Sequence, residues 1–231
     1  WVGGRTAPLA VYGGPGVERV VTGFNEAYAI DSSYRIAHHG ADFLKPELGP
    51  MEAHVINGTS HGGAPVTVLE RNGVKITAFS VDHQPIEPAL GYRIEYKGRS
   101  VVFSGDTHKS ADLARNAEGA DVLIHEAMVK EAVAIMEEAA KRNGRDRFEK
   151  ILHDIPDYHA SPRDAAETAA AAHVPHLVLS HLIPPVPDWF SAIIFRRGTD
   201  IDGVETHIAF DGMLIELPAG SKDVNFSDLG R

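Results

Sequence analysis

Asp106 follows an apolar run, Val101 to Phe103, closed by Ser104 and Gly105, and is itself followed by the hydroxyl of Thr107. A carboxylate just past a buried strand is held rigidly at the rim of a sheet, where metal-binding and catalytic groups are displayed. An Asp there can also do no more than cap the next turn or helix, so its company decides. Three other β-rich runs end in the same chemistry: Val74 to Asp82 leads into His83, Asp121 to Ile124 into His125-Glu126, and His176 to Ser180 into His181. Imidazole with carboxylate suits zinc, iron or manganese, and the ligand shared in a two-metal site is typically a carboxylate. The pattern therefore predicts two divalent ions, zinc first, with Asp106 between them and His83 and His181 each holding one. His159 differs, because it stands just before a helix start and not after a strand.

The elements that must position these groups alternate along the chain. Leu9 to Tyr12 reads as a strand, Gly13-Gly14-Pro15-Gly16 as a sharp turn, and Val17 to Ile30 as a helix from its apolar spacing of three and four. The glycine-rich turn has neither dinucleotide nor P-loop spacing, so it reads as a plain connection. Asp31 to Glu70 is rich in Gly, Pro and His, and its histidines (His38, His39, His54, His61) read as loop or surface residues. Val66 to Glu70 and Val74 to Val81 form a hairpin about Asn72-Gly73, and Tyr92 to Tyr96 with Ser100 to Phe103 form a second about Lys97-Gly98. Helices follow over Asp112 to Asn116 and Met128 to Arg142, with a loop over Arg145 to Asp157. Ser161-Pro162-Arg163-Asp164 opens an Ala-rich helix that Val174-Pro175 ends. A last hairpin joins Ile208–Phe210 to Met213–Leu217, and the tail from Pro218 reads as frayed. Helix-then-strand order after Asp106 and after Glu126 indicates α/β layering.

Gly105-Asp106-Thr107, His125-Glu126-Ala127, Tyr158-His159-Ala160-Ser161 and Leu179-Ser180-His181, in this order, resemble the C-terminal half of a metallo-β-lactamase-fold hydrolase. The branch is the one holding ribonuclease Z and the arylsulfatase-like enzymes, and the resemblance runs from about Pro8 to Asp211. It implies an αββα sandwich of which this chain covers mainly the C-terminal part. It also implies the same three metal ligands, His83, Asp106 and His181. The resemblance further makes His159 a general acid that protonates the leaving oxygen, with Glu126 orienting it; simple capping of the following helix is the other reading of Glu126. His125 and His153 are candidates for hydrogen bonds around the site. The signature His-x-His-x-Asp-His is absent, and His38-His39 do not fit it. The expectation is accordingly one domain over 1–231 that lacks its N-terminal part and is inactive alone.

Composition narrows the rest. The 231 residues could make one large domain or two small ones, and 43% apolar content allows a substantial core. The absence of Cys excludes disulfides and thiolate ligands, while 13 histidines are available for metals. A net charge of −10, without a basic block, argues against broad capture of nucleic acid. No apolar run is long enough to span a membrane, and no signal-peptide pattern opens the chain. A soluble protein of the cytoplasm or periplasm is expected, with a homodimer as the candidate assembly.

Between His83 and Asp106 only one hairpin fits, with no room for the tRNA-gripping insertion of ribonuclease Z enzymes. Trp189 and Phe190 are candidates for an apolar wall against an aryl or acyl group. The preferred substrate is thus a small ester, an aryl sulfate or phosphodiester. Ribonuclease Z activity, a lactonase and a non-catalytic homologue are the alternatives.

Overall fold

The computed structural model describes residues 1–230, which fall into two compact units, 1–58 and the described residues from 59 onward. In the first, β1 (Leu9–Gly13) pairs in parallel with β2 (Met51–Val55), and α1 (Val17–His39) connects them. The helix is nine residues longer than its apolar spacing predicts, because Asp31 to Arg35 forms an i,i+4 ion pair and no breaker stands before Gly40.

The second unit is built on a seven-stranded sheet in the order β3 to β9: β3 (Val66–Arg71), β4 (Val74–His83), β5 (Ile86–Tyr96), β6 (Arg99–Phe103), β7 (Val122–Met128), β8 (His176–Ile183) and β9 (Glu205–Ile208). The two predicted hairpins make its antiparallel half, and their turns use left-handed Asn72-Gly73 and Lys97-Gly98. From β6 onward the strands run parallel, which requires crossovers. These are α2 (Ala111–Ala117), then α3 (Lys130–Arg142) with α4 (Asp146–Asp154) and α5 (Pro162–Ala171), then α6 (Asp188–Phe195). The core sits where α2 and α5 meet β4, β7 and β8. Ala165, Ala166 and Ala169 on α5 are fully buried beside Leu177 and Leu179, and small residues let the helix approach the sheet closely. Burying each of those leucines contributes roughly 1.5–3 kcal/mol. Ser161 caps α5 with a reciprocal capping box to Asp164.

Three expectations are corrected. Arg145 to Asp157 is not a loop: α4 carries Phe148, Ile151 and Leu152 at helical spacing, Ile155 follows at its C-terminus, and Leu152 packs with Met128, Val133 and Ala140 under α3. Its many charges are the solvent face of an amphipathic helix. Ile208 does not start a hairpin, because β9 pairs with β8, whereas β10 (Met213–Glu216) pairs with β11 (Asn225–Asp228). The tail is not frayed either. The buried Arg99 donates through one Nη1 to the carbonyls of Pro218, Ser221 and Asp223, and its other end pairs with Asp121 at 3.0 Å.

Strand irregularities sit beside the predicted site. Gly105 has φ +63°, and a Cβ there would lie 2.5 Å from the Leu90 carbonyl oxygen. That backbone cannot yield without moving β5, so Gly105→Ala combines left-handed strain with a steric clash. It should lower stability by about 2 kcal/mol or more, read as a drop in the urea midpoint at unchanged slope.

Candidate metal and acid–base centre

His83 is the last residue of β4, Asp106 follows β6, Glu126 lies in β7 and His181 in β8. Because β6, β7 and β8 run parallel, their C-terminal ends open on one edge, and antiparallel β4 brings its own C-terminus there through β5. The structure gathers all five predicted residues at that edge. The His83 and His159 rings are 5.3 Å apart, His159 stacks on His181 at 5.6 Å, and His181 Nε2 lies 3.8 Å from Asp106 Oδ1.

Two register slips place these groups. In β7–β8 pairing Ser180 faces Glu126 and Leu182 faces Ala127, so His181 is the extra residue of a bulge, at φ +45°. In β4–β5 pairing Val81 faces Ala89 and His83 faces Ile86, which bends the end of β4. Thr107, noted in the sequence only as a hydroxyl, locks that end. Its Oγ1 accepts from Asp82 N–H at 3.0 Å, and the next residue, His108, donates its N–H to the Asp82 carbonyl.

The hydrogen bonds assign roles to the imidazoles. His83 Nδ1 is 2.9 Å from the Tyr158 carbonyl, so Nδ1–H donates there and Nε2 keeps its lone pair. His159 Nδ1 is 2.8 Å from Glu126 Oε1 in a buried pair. The same Oε1 accepts from the N–H groups of Thr107 at 3.0 Å and Ala160 at 3.3 Å. The other oxygen, Oε2, is buried with no hydrogen-bond partner. Glu126 is therefore fixed as an acceptor inside the fold and turns His159 Nε2 toward the cluster. It caps no helix, since α3 opens at Lys130 with Val129 before it. Tyr158, whose carbonyl accepts from His83 Nδ1–H, and Ser104, whose Oγ accepts from Glu126 N–H, were not legible in advance.

His125 points to the other face of β7. Its Nδ1–H donates to the Glu126 carbonyl, and burial pushes the imidazole well below its usual range, so it stays neutral and structural. His153 is exposed and pairs with Glu137. Trp189 is largely exposed, and Phe190 lines a groove with Val129, Ile135 and Ile194. The cleft beside His181, about 560 Å³, is lined instead by Ser180, Leu182, Asp188, Phe210 and Asp211, with neither aromatic among its lining residues.

The donor set fits divalent metal. One imidazole has its lone pair fixed outward, another lies 3.8 Å from a carboxylate, and both are partly open to solvent. That gap is close to the separation of two ligands on one ion with bonds of about 2.0–2.2 Å. Glu126, His159 and His181 also lie close enough to share an ion, but Glu126 Oε1 already accepts three hydrogen bonds, which favours an orienting role over ligation.

The family model described as Beta-lactamase superfamily domain matches residues 11–182. The chain belongs to that superfamily, as a metallo-β-lactamase-fold hydrolase and a homologue of ribonuclease Z. A ribonuclease Z of Mycobacterium bovis (strain BCG / Pasteur 1173P2) is 38% identical over 213 residues, covering 87% of this chain and 68% of that protein. The chain spans about two thirds of the length of such relatives, and 56% of the Mycolicibacterium paratuberculosis ribonuclease Z. Among solved structures, the short form of human tRNase Z superposes with a TM-score of 0.57 at 19% identity, covering 93% of this chain and 70% of that one. A metallo-beta-lactamase fold protein from Bacillus subtilis gives 0.53 at 15%, covering 87% and 62%; both likenesses concern the fold. The αββα class expected from the motifs is thus met. Among the described residues no helix is long and apolar enough to cross a membrane.

Proposed function

We propose that this chain carries the acid–base half of a ribonuclease Z-type centre that hydrolyses a phosphodiester bond in RNA. The observation that carries the reading is the buried Glu126–His159 pair beside His83, Asp106 and His181, in a chain 38% identical to ribonuclease Z. The aryl sulfate preference drawn from sequence gives way here. It rested on net charge, on the short His83–Asp106 interval and on Trp189 and Phe190 as an apolar wall; none of these outweighs identity extending over 87% of the chain, and neither aromatic lines the cleft beside His181. Net charge also describes the whole surface and not the few contacts that fix a scissile bond.

His83, Asp106 and His181 are the residues that would hold the divalent ions. When bound, such ions activate water for attack at neutral pH and polarise the phosphoryl oxygen. His159 carries a proton on Nε2 and delivers it to the leaving ribose oxygen. Its Nδ1–H donates to Glu126 Oε1 throughout, and that carboxylate stabilises the imidazolium before the transfer. The burial of both groups excludes water from the pair and keeps the ring from turning.

The test is a comparison of three substrates on the active protein: a precursor tRNA with a 3′ trailer, an aryl phosphodiester and an aryl sulfate. The expected order places the RNA first by at least about 10² in kcat/KM, a margin of about 2.7 kcal/mol. Aryl sulfate turnover with an uncut RNA would overturn the reading.

A further inference from the structure

The first residue of β8 and the first and third of β9 form a second cluster at the opposite end of the sheet from His181. His176 pairs in register with Glu205, and His207 stands two residues beyond it, so all three side chains share one face. Glu205 lies between the imidazoles, with Oε2 3.5 Å from His176 Nδ1 and Oε1 3.4 Å from His207 Nε2. Both of those nitrogens are buried and have no hydrogen-bond partner.

Two features distinguish this arrangement from an ordinary imidazole–carboxylate pair. The N···O separations exceed the range of about 2.7–3.2 Å for a hydrogen bond. Each is instead close to the edge of about 3.3 Å between two ligands on a tetrahedral ion with bonds of about 2.0–2.1 Å, the two imidazoles facing different oxygens of the one carboxylate. The donor atoms of all three residues lie within 4.8 Å of one another. Phe226 of β11 stacks on His207 at 3.7 Å and fixes its ring. Glu205 is 65% exposed at the side chain, so an ion has a route of entry and a place for a water ligand.

We propose that His176, Glu205 and His207 form a separate divalent-metal site, of the zinc class, with three protein ligands and one position open to water. The donor types suit zinc or copper and not magnesium or calcium, which prefer oxygen. The site joins β9 to β8 at one end, while the other end of β8, about 16 Å along the strand, delivers His181. Metal here braces the outer strand of the sheet. The proposal does not depend on the substrate assigned above.

Full-length protein, stripped with a chelator and reloaded with micromolar zinc chloride, would be examined by zinc-edge anomalous diffraction and by metal counting. An anomalous peak is expected among the three side chains, apart from any near Asp106. Glu205→Gln, an exposed change that leaves both rings in place, and His207→Gln should each remove that peak, lower bound zinc by one ion per chain and leave the other peaks intact. A peak near Asp106 with none here, a peak needing millimolar zinc, or unchanged stoichiometry in both variants would overturn the proposal. Peaks that stay intact near Asp106 in the Glu205→Gln variant report a folded protein, so loss of this peak alone cannot be ascribed to unfolding.

Discussion

His159→Ala is expected to reduce turnover of an RNA phosphodiester by about 10²–10⁴ while leaving bound metal unchanged. The reasoning is geometric. His159 is held through Nδ1 by a buried carboxylate, and it enters the cluster from the start of α5 and not from a strand end. On the proposed reading its loss removes a proton donor and leaves His83, Asp106 and His181 in place. The deficit should shrink toward parity for a nitrophenolate leaving group, which departs without a proton. Single-turnover rates on both substrates, with metal analysis of the same sample, check this. If the variant loses its metal, or slows both leaving groups equally, His159 is a ligand and not an acid.

Asp106→Ala should behave in the opposite way, with metal content falling and activity against good and poor leaving groups lost together. Asp106 is the carboxylate that faces His181 across 3.8 Å and stands on the rigid turn at Gly105. Removing it takes away the only negative charge assigned to the ions, and loss of their Lewis acidity is expected to cost several kcal/mol in the barrier, a factor of 10³ or more. Titration of stripped protein with zinc should show weakened binding in step with the activity. Full metal content in an inactive Asp106→Ala protein would give Asp106 some other role.

The contrast between these variants reflects what was readable beforehand. Strand-end placement is a backbone property, visible as an apolar run followed by a polar tip, so His83, Asp106, Glu126 and His181 stood out from the sequence. Parallel and antiparallel pairing then had to bring those tips to one edge. The contribution of Thr107 and Tyr158 was not readable, because each acts through a hydrogen bond to backbone or from it, which no side-chain spacing records. α4 was hidden by its charge, since Asp146, Arg147, Glu149 and Lys150 crowd its first turns around a single apolar residue, Phe148. The pairing of β9 with β8 was hidden because a parallel neighbour lies a whole crossover away in sequence, and nothing local announces it. Total charge weighed against an RNA substrate for a related reason: it is a sum over the surface, whereas recognition depends on where a few groups stand.

The bulge at the end of β8 has a consequence for how the protein can evolve. His181 occupies a left-handed backbone region that glycine or asparagine enters more cheaply, by about 1–2 kcal/mol relative to most side chains. Selection for stability alone would therefore drift away from histidine at this position. A lineage that keeps His181 is held there by chemistry against the preference of its own main chain, and one released from catalysis should lose this residue early.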